Sequence, residues 1–225
     1  MTYVTDTSTI QKISHYLINT WWRISGLGLL ALVVLASISC AQAPGNQSDV
    51  DWLIDVLELK QGSIVADIGA GDGDQTLAIA GHIGPEGKIY STELGTSSLR
   101  ELRNAIEDAE VSNVEVIEGR PNRTNLPAEC CSALFMRRVY HHIDSPEAFN
   151  ASMYKSLKPG GRLAIIDFEP SGSEAEPEGR DQGSQHGVTA ETVIKELRAA
   201  GFQLVSNEHP SGRYYYLVLQ KPADN

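Results

Sequence analysis

The stretch VADIGAGDGD at residues 65–74 decides the fold. It begins as a short apolar run and ends in a turn where glycine recurs at Gly69, Gly71 and Gly73. Such a turn lets the backbone approach a ligand closely, because glycine has no Cβ and adopts backbone angles that other residues avoid. Glycine-rich turns after a strand usually cradle a nucleotide, so this stretch predicts the first strand and first ligand-binding turn of an open α/β sheet.

The rest of the chain alternates between strand-like and helix-like segments. Short apolar runs predict strands at 61–69, 87–94, 114–119, 132–139, 162–169, 202–209 and 213–220. Helical spacing of apolar residues predicts helices at 48–57, 75–83, 96–110, 145–157 and 189–202. This order is typical of right-handed βαβ units. We therefore expect an α/β fold with a doubly wound, mostly parallel, seven-stranded Rossmann-like sheet and an antiparallel C-terminal strand pair.

The composition indicates a globular protein with an acidic surface. The 225 residues are 41% hydrophobic and 21% charged, which suits one domain with an ordinary core. The net charge of −11 argues against nonspecific binding to DNA or RNA, because phosphate contacts need Lys and Arg. We therefore expect no nucleic-acid partner, and the sequence leaves the oligomeric state open.

The N-terminal segment differs in composition from the rest of the chain. Residues 24–38 carry no charge, follow Arg23, and precede small residues and a polar run. That arrangement is typical of a secretory signal. We therefore expect residues 1–43 to be a signal peptide or membrane anchor with a short linker, and residues 44–225 to be the folded domain. The expected location is the periplasm or a membrane surface reached through residues 24–38, with the cytoplasm as the alternative.

Four carboxylates decide which ligand suits the glycine turn. Asp67 ends the first predicted strand, Asp72 and Asp74 lie in the turn, and Glu93 ends the second strand. A dinucleotide would set its pyrophosphate against them, and like charges at roughly 4–6 Å cost on the order of a kcal/mol or more. S-adenosylmethionine has no phosphate and carries an ammonium and a sulfonium. The carboxylates therefore favour S-adenosylmethionine and argue against an NAD-linked oxidoreductase.

Three segments resemble a known superfamily. VADIGAGDG at 65–73 resembles motif I of class I S-adenosylmethionine-dependent methyltransferases, and SLKPGGRLAIIDFEP at 156–170 is similar to their fifth-strand segment. RRVYHHIDSPEAF at 137–149 is similar to the region after strand four in the type 11 group. The similarity covers about residues 48–221 and extends to uncharacterised bacterial methyltransferases with apparent export signals. It implies a methyltransferase whose acceptor is expected to be a small molecule.

The resemblance implies cofactor contacts for residues of the first two strands. Asp67 and the turn backbone would hold the methionine end of S-adenosylmethionine, and Glu93 would hold the ribose. The turn residues concerned are Gly69, Ala70, Gly71 and Gly73.

One position departs from the family pattern. Many relatives have an acidic residue after strand three that contacts the adenine amino group, whereas this chain has Arg120. Arginine has no acceptor atom for that amino proton. Arg120 would instead stack on the adenine ring, or Asn122 or Asn125 would replace the missing acceptor. The departure also leaves a second hypothesis, which is a noncatalytic binding domain in an exported protein. S-adenosylmethionine is not expected in an exported location.

The candidates for catalysis follow the fourth predicted strand. Either His141 or His142 would serve as a base near neutral pH, and Tyr140 would contact the acceptor or the cofactor. The structural alternative is that one histidine orients the following helix while the other packs. Arg137 and Arg138 would bind an anionic acceptor or pair with surface acids.

The remaining polar residues show no pattern of their own. Asp167 and Glu169 end the fifth predicted strand, where they would face either the acceptor or solvent. His82, His186 and His209 are scattered without metal-ligand spacing, so we expect no metal.

Two further segments have structural expectations only. Residues 170–187, rich in Gly, Ser and Glu, predict an irregular loop that is either a lid or a surface insertion. Adjacent Cys130 and Cys131 are expected to act as small apolar residues at a strand start, because neighbouring cysteines rarely form a disulfide.

Overall fold

The computed structural model describes residues 44–223. Its elements in chain order are α1 (Pro44–Val56), β1 (Ile64–Ile68), α2 (Asp74–Ile83), β2 (Lys88–Glu93), α3 (Thr96–Asp108), β3 (Val114–Glu118), β4 (Cys131–Arg137), α4 (Pro146–Ser156), β5 (Leu157–Phe168), α5 (Ala190–Ala199), β6 (Gln203–Glu208) and β7 (Tyr214–Gln220). The export or anchoring segment expected within residues 1–43 lies outside the described residues. Within 44–223, no helix combines the length and apolarity that crossing a membrane requires.

The seven strands form one sheet in the order β3-β2-β1-β4-β5-β7-β6. Strands β1 to β5 pair in parallel, and β7 runs antiparallel between β5 and β6. The predicted Rossmann-like sheet with its antiparallel C-terminal pair is confirmed. The strand order reverses direction between β1 and β4, and in such sheets ligands bind at the carboxyl edge beside that reversal.

Both faces of the sheet are covered, as expected for a doubly wound fold. Val65 packs in one apolar cluster with Ile79 of α2, whereas its neighbour Ala66 packs in another with Met153 of α4 and Val193 of α5. Successive strand residues point to opposite faces, so a strand covered on both sides is apolar throughout. This explains why β1 is a continuous apolar run before Asp67.

Several strand boundaries differ from the predicted ones, and the start of β5 and the end of β4 have clear structural reasons. Strand β5 begins at Leu157 and takes in the KPGG segment, because Leu157 already pairs with Cys131 of β4. Strand β4 ends at Arg137, since Arg138 has a φ of +59° and leaves the extended conformation. That bend turns the chain after β4 across the carboxyl edge of the sheet.

The expectation for the two adjacent cysteines is wrong in one respect. The structure joins Cys130 and Cys131 as a disulfide between neighbouring residues. Cys131 is nevertheless fully buried at the start of β4, as expected.

Candidate functional site

A cleft of about 800 Å³ opens at the carboxyl ends of β1, β2 and β4. This volume lies in the usual range for small-molecule sites. Its lining includes Asp67 from β1, Glu93 from β2 and Arg137 from β4. Residues Asp181 and His186 of the loop 170–187 complete the opposite wall. The cleft therefore joins the predicted cofactor residues to a loop that the sequence left without a role.

The glycine turn forms one wall of this cleft. Gly69 has a φ of +73°, and a Cβ placed on it would lie 2.6 Å from Cγ2 of Val139. Gly71 has a φ of +56°, and nothing lies within 4 Å of the place where its Cβ would stand. Gly69 is therefore needed for packing inside the protein, whereas Gly71 leaves space on the cleft side for a ligand.

The N–H groups of this turn are largely used to hold its own shape. Gly69 and Ala70 donate to the carbonyl of Thr92 at 2.9 and 3.0 Å, and Gly73 donates to the carbonyl of Ala70 at 2.9 Å. The turn thus presents a rigid surface to the cleft. The predicted backbone contacts to a cofactor must use polar groups of the turn that these internal hydrogen bonds leave available.

Asp67 is a buried carboxyl at the base of the cleft. It is 3% exposed, and its Oδ2 accepts a hydrogen bond of 2.7 Å from Oγ1 of Thr76. Burial raises the pKa of Asp67 to about 7; the bond from Thr76 opposes this shift, and the nearby charges of Glu93 and Asp72 add to it. A cation placed beside Asp67 would stabilise its charged form, so the site is prepared for a positively charged ligand group.

Glu93 lines the cleft at the end of β2. Its Oε2 accepts from the N–H of Gly71 at 2.8 Å, and its Oε1 accepts from the N–H of Leu94 at 2.7 Å. These bonds orient the carboxylate at the end of β2. A carboxylate has about four acceptor positions, so Glu93 retains capacity for two ligand hydroxyls.

Arg120 lies on the cleft wall beyond β3. Its guanidinium is about half exposed, with Nη1 at 3.8 Å from Oε1 of Glu118. Asn125, one proposed substitute acceptor, is occupied elsewhere: its Nδ2 donates to the carbonyl of Glu118 at 2.7 Å, and its Oδ1 accepts from Arg123 at 2.9 Å. Arg120 therefore lines the cleft with an exposed guanidinium, while Asn125 braces the loop.

Tyr140 does not reach the cleft. Its side chain is fully buried; its hydroxyl donates to Glu196 at 2.9 Å and accepts from Asn150 at 2.7 Å. Burial, followed by the negative charge of Glu196, raises its pKa well above the usual value. The predicted contact of Tyr140 with acceptor or cofactor is therefore corrected: this residue ties α4 to α5. The reason is the short 3-10 turn Tyr140–His142, which directs adjacent side chains to different sides.

His141 is held in a fixed orientation at the cleft. It is 2% exposed, and its Nδ1 lies 2.8 Å from Oδ1 of Asp167. The backbone N–H of His141 also donates to Oδ2 of Asp167, at 3.2 Å. Asp167 is fully buried behind the ring, so it neither faces an acceptor nor meets solvent, which were the two predicted alternatives. This carboxylate favours the tautomer with the proton on Nδ1, which leaves the lone pair of Nε2 directed away from Asp167.

Two further histidines surround His141. The ring of His142 lies 4.0 Å from it between centroids, and Nε2 of His186 lies 3.0 Å from its Nε2. Partial burial, and then the neighbouring His141, lower the pKa of His142. His186 is the functional residue that sequence reasoning missed, because it stands 45 residues from His141 in a segment without periodicity. His82 and His209 remain apart from this cluster, as expected.

The loop 170–187 is fastened over the cleft. Arg180 is 3% exposed, and its Nη2 lies 2.8 Å from Oε1 of Glu196. The carbonyl of Arg180 accepts from the N–H of Gly187 at 2.8 Å, which fixes the segment carrying His186. The sequence left two alternatives for this loop, a lid or a surface insertion. The position of the loop over the cleft agrees with a lid.

The two arginines at the end of β4 differ in their availability to a ligand. Arg137 is paired: its Nε lies 2.6 Å from Oδ2 of the buried Asp49, whose Oδ1 accepts from the hydroxyl of Tyr216. Arg138 is exposed and lines the cleft, and its guanidinium forms no ion pair with any residue of 48–223. Of these two arginines, Arg138 is therefore the one that remains available to an anionic ligand.

Comparison with protein families gives a match for the central part of the chain. Residues 66–165 match the family described as "Methyltransferase domain". A ubiquinone/menaquinone biosynthesis C-methyltransferase from Marinomonas sp. is 27% identical over 157 residues, covering 69% of this chain and 59% of that protein. One from Pseudomonas savastanoi is 32% identical over 122 residues, covering 52% and 46%. The chain spans about half the length of the curated relatives it matches.

Solved structures share the fold. A methyltransferase from Aquifex aeolicus, described as dependent on S-adenosylmethionine, has a TM-score of 0.67 at 21% identity, covering 77% of this chain and 89% of that one. A geranyl diphosphate C-methyltransferase from Streptomyces coelicolor, solved with Mg²⁺, geranyl diphosphate and S-adenosylhomocysteine, has a TM-score of 0.65 at 10% identity, covering 78% and 77%. The central part of the chain therefore matches a methyltransferase domain, and the described residues share the fold of these solved methyltransferases.

Proposed function

We propose that this chain is an S-adenosylmethionine-dependent methyltransferase that acts on a small-molecule acceptor held beneath the loop 170–187. The observation that carries the proposal is a glycine turn with carboxylates on both sides, which would attract a cationic ligand and repel a phosphate placed against the turn. Asp67 lies at the base of the cleft, and Asp72, Asp74 and Glu93 line it.

The cofactor would occupy the β1–β2 half of the cleft. Its ammonium would approach Asp67, and its ribose hydroxyls would form hydrogen bonds with Glu93. The face of the cofactor nearest the protein backbone would lie against Gly71. Arg120 would stack on the adenine ring, since no acidic residue stands at that place. The attraction between a sulfonium ligand and this acidic wall supports the choice of cofactor.

The acceptor would lie between the cofactor and the histidines. The curated relatives are named as C-methyltransferases of quinone biosynthesis. We propose for this chain an electron-rich ring with an ionisable hydroxyl. In the transfer, the sulfur–methyl bond breaks as the acceptor–methyl bond forms, and S-adenosylhomocysteine leaves. One proton must also leave: the hydroxyl proton when the methyl group goes to oxygen, or the hydrogen of the methylated ring carbon when it goes to carbon. His141 and His142 are the candidates for accepting it.

A binding and turnover experiment tests this function. Calorimetry with the purified full chain should show one site for S-adenosylmethionine or S-adenosylhomocysteine and none for NAD. A screen of hydroquinones and phenols with methyl-labelled cofactor should then show label transfer. Glu93→Gln tests the ribose contact, with Glu118→Gln as the matched control at the end of β3. Failure to bind the cofactor, or equal binding by both variants, contradicts the proposal.

The noncatalytic alternative is separated by the same assay. Arg120 is the observation that favours it, because the usual adenine contact is absent from this chain. Cofactor binding without label transfer to any acceptor, including a cell extract, would favour a binding domain over an enzyme.

We also propose that residues 24–38 export the chain or anchor it to a membrane. Their uncharged sequence after Arg23 supports this proposal. Export would require either that the cofactor reaches the same compartment or that the domain acts without turnover.

A further inference from the structure

We infer that His141, His142 and His186 form a binding site for a divalent transition metal of the zinc class, on the acceptor side of the cleft. The ligand atoms that these three side chains offer all lie within 4.8 Å of one another. This geometry is independent of the proposed methyl transfer, so metal binding can be measured without an assay of enzymatic activity.

The spacing of the ring nitrogens suits one ion. Two nitrogens bound to zinc at about 2.0–2.1 Å in a tetrahedral site are separated by about 3.3 Å. The Nε2 atoms of His141 and His186 are 3.0 Å apart, so a small opening of this pair admits the ion. His142 is exposed, and its ring can rotate to bring in the third nitrogen.

The surroundings of His141 are those of a metal ligand. Metal-binding histidines usually donate their second ring N–H to a carboxylate, which fixes the tautomer and raises the basicity of the ligand nitrogen. Asp167 occupies this position at 2.8 Å from Nδ1 of His141 and is itself held by the N–H of Phe168 at 2.9 Å. His141 and Asp167 are both buried, so their hydrogen bond holds Nε2 of His141 in a fixed direction.

The position of His186 also has a structural basis. Its loop is fixed by the ion pair of Arg180 with Glu196 and by the bond from Gly187 to Arg180. A third ligand therefore reaches the cluster from a separate part of the chain. Three imidazoles suit Zn²⁺, Co²⁺ or Ni²⁺, whereas Mg²⁺ and Ca²⁺ prefer oxygen ligands.

Three protein ligands leave a coordination position open toward the cleft. An ion at an open site polarises an oxygen bound to it and lowers the pKa of that group. At this place the oxygen would be the acceptor's hydroxyl, whose proton would then pass to solvent. The histidines would act on the acceptor through the ion, and this last step rests on the proposed function.

Metal binding to the full chain tests the inference directly. The untagged protein, stripped with a chelator, is titrated with Zn²⁺ by calorimetry and with Co²⁺ by visible absorption. We expect one equivalent of each, a Co²⁺ spectrum with nitrogen ligands, and no comparable site for Mg²⁺. His186→Gln and His142→Gln should each weaken Zn²⁺ binding by about 100-fold, and Asp167→Asn by roughly 10–100-fold.

A matched histidine outside the cluster provides the control. His209→Gln should leave the stoichiometry and affinity for Zn²⁺ unchanged. Circular dichroism of each variant establishes that it is folded. The inference is overturned if the folded wild-type chain takes up no Zn²⁺, if His186→Gln binds it as tightly as wild type, or if His209→Gln loses it equally. Loss of metal binding with retained S-adenosylmethionine binding separates this result from a failure of the proposed function.

Discussion

Binding of the cofactor should release a proton from Asp67. The buried carboxyl has a pKa of about 7 in the ligand-free protein, compared with 3.8 for an ordinary Asp side chain. An ammonium placed beside it favours the charged form and returns the pKa toward the ordinary range. Asp67 is therefore about half protonated before binding at pH 7 and fully ionised afterwards.

The size of the effect follows from that pKa. Asp67 alone should contribute a release of about 0.9 proton at pH 6, about 0.5 at pH 7 and about 0.1 at pH 8. Between pH 7.5 and 5.5, the dissociation constant for S-adenosylmethionine should rise about 25-fold, because the proton must be displaced. This range keeps the ligand's own α-amino group, with a pKa near 7.7–8.0, mostly charged.

Stability of the free protein should change with pH for the same reason. The folded-state pKa of Asp67 lies above the unfolded value, so the folded state holds more protons between pH 4 and 7. The free energy of unfolding should fall as pH rises through this window. The shift of roughly three pKa units corresponds to about 4 kcal/mol between pH 4 and pH 8.

The assay is calorimetry in several buffers of different ionisation enthalpy. The slope of the observed enthalpy against that of the buffer gives the number of protons released. Asp67→Asn is the decisive variant, since it keeps the side-chain shape and removes the titrating group. It should show no release from this site, a flatter pH dependence of binding, and a higher melting temperature than wild type at pH 8. If wild type and Asp67→Asn release the same number of protons, the assignment to Asp67 is refuted.

Three further predictions concern the turn, the adenine wall and the N-terminus. Gly69→Ala should lower the free energy of unfolding by about 2–4 kcal/mol in denaturant titrations, since its Cβ would meet Val139 at 2.6 Å in a left-handed conformation. Gly71→Ala should cost only about 1–2 kcal/mol, yet lose roughly tenfold in S-adenosylmethionine affinity by calorimetry. Arg120→Asp should tighten S-adenosylmethionine binding about fivefold by supplying an acceptor for the adenine amino group, and weaker binding would contradict this. Fractionation of cells that express the C-terminally tagged full chain should recover the protein outside the cytoplasm. Deletion of residues 24–38 should leave the protein in the cytoplasm.

Local sequence patterns were sufficient to predict the strand, the glycine turn and the helix on one side of the cleft. The strand, the glycine turn and the following helix lie within residues 64–83, and their geometry depends mainly on neighbouring residues. Each glycine in the turn adopts a positive φ, which a side chain would oppose. Glu93 was predictable because parallel strands end at the same edge of the sheet.

Tertiary contacts determine the features that local patterns did not predict. Tyr140 and His141 are adjacent, yet one is held in the core by Asn150 and Glu196 while the other faces the cleft. No periodicity applies to a single 3-10 turn, so the direction of each side chain depends on its distant partners. The early start of β5 likewise depends on its pairing with β4.

The two halves of the cleft therefore differ in how far local sequence determines them. The cofactor half is local, which is why a short motif resembles a whole superfamily and says little about the acceptor. The acceptor half joins the turn after β4, the buried Asp167 of β5 and the loop that carries His186. These segments meet only after the sheet has formed, and a change in any one alters the cluster. Under the proposed function, we expect specificity for the acceptor to lie in this assembled half, which Arg138 and His186 line.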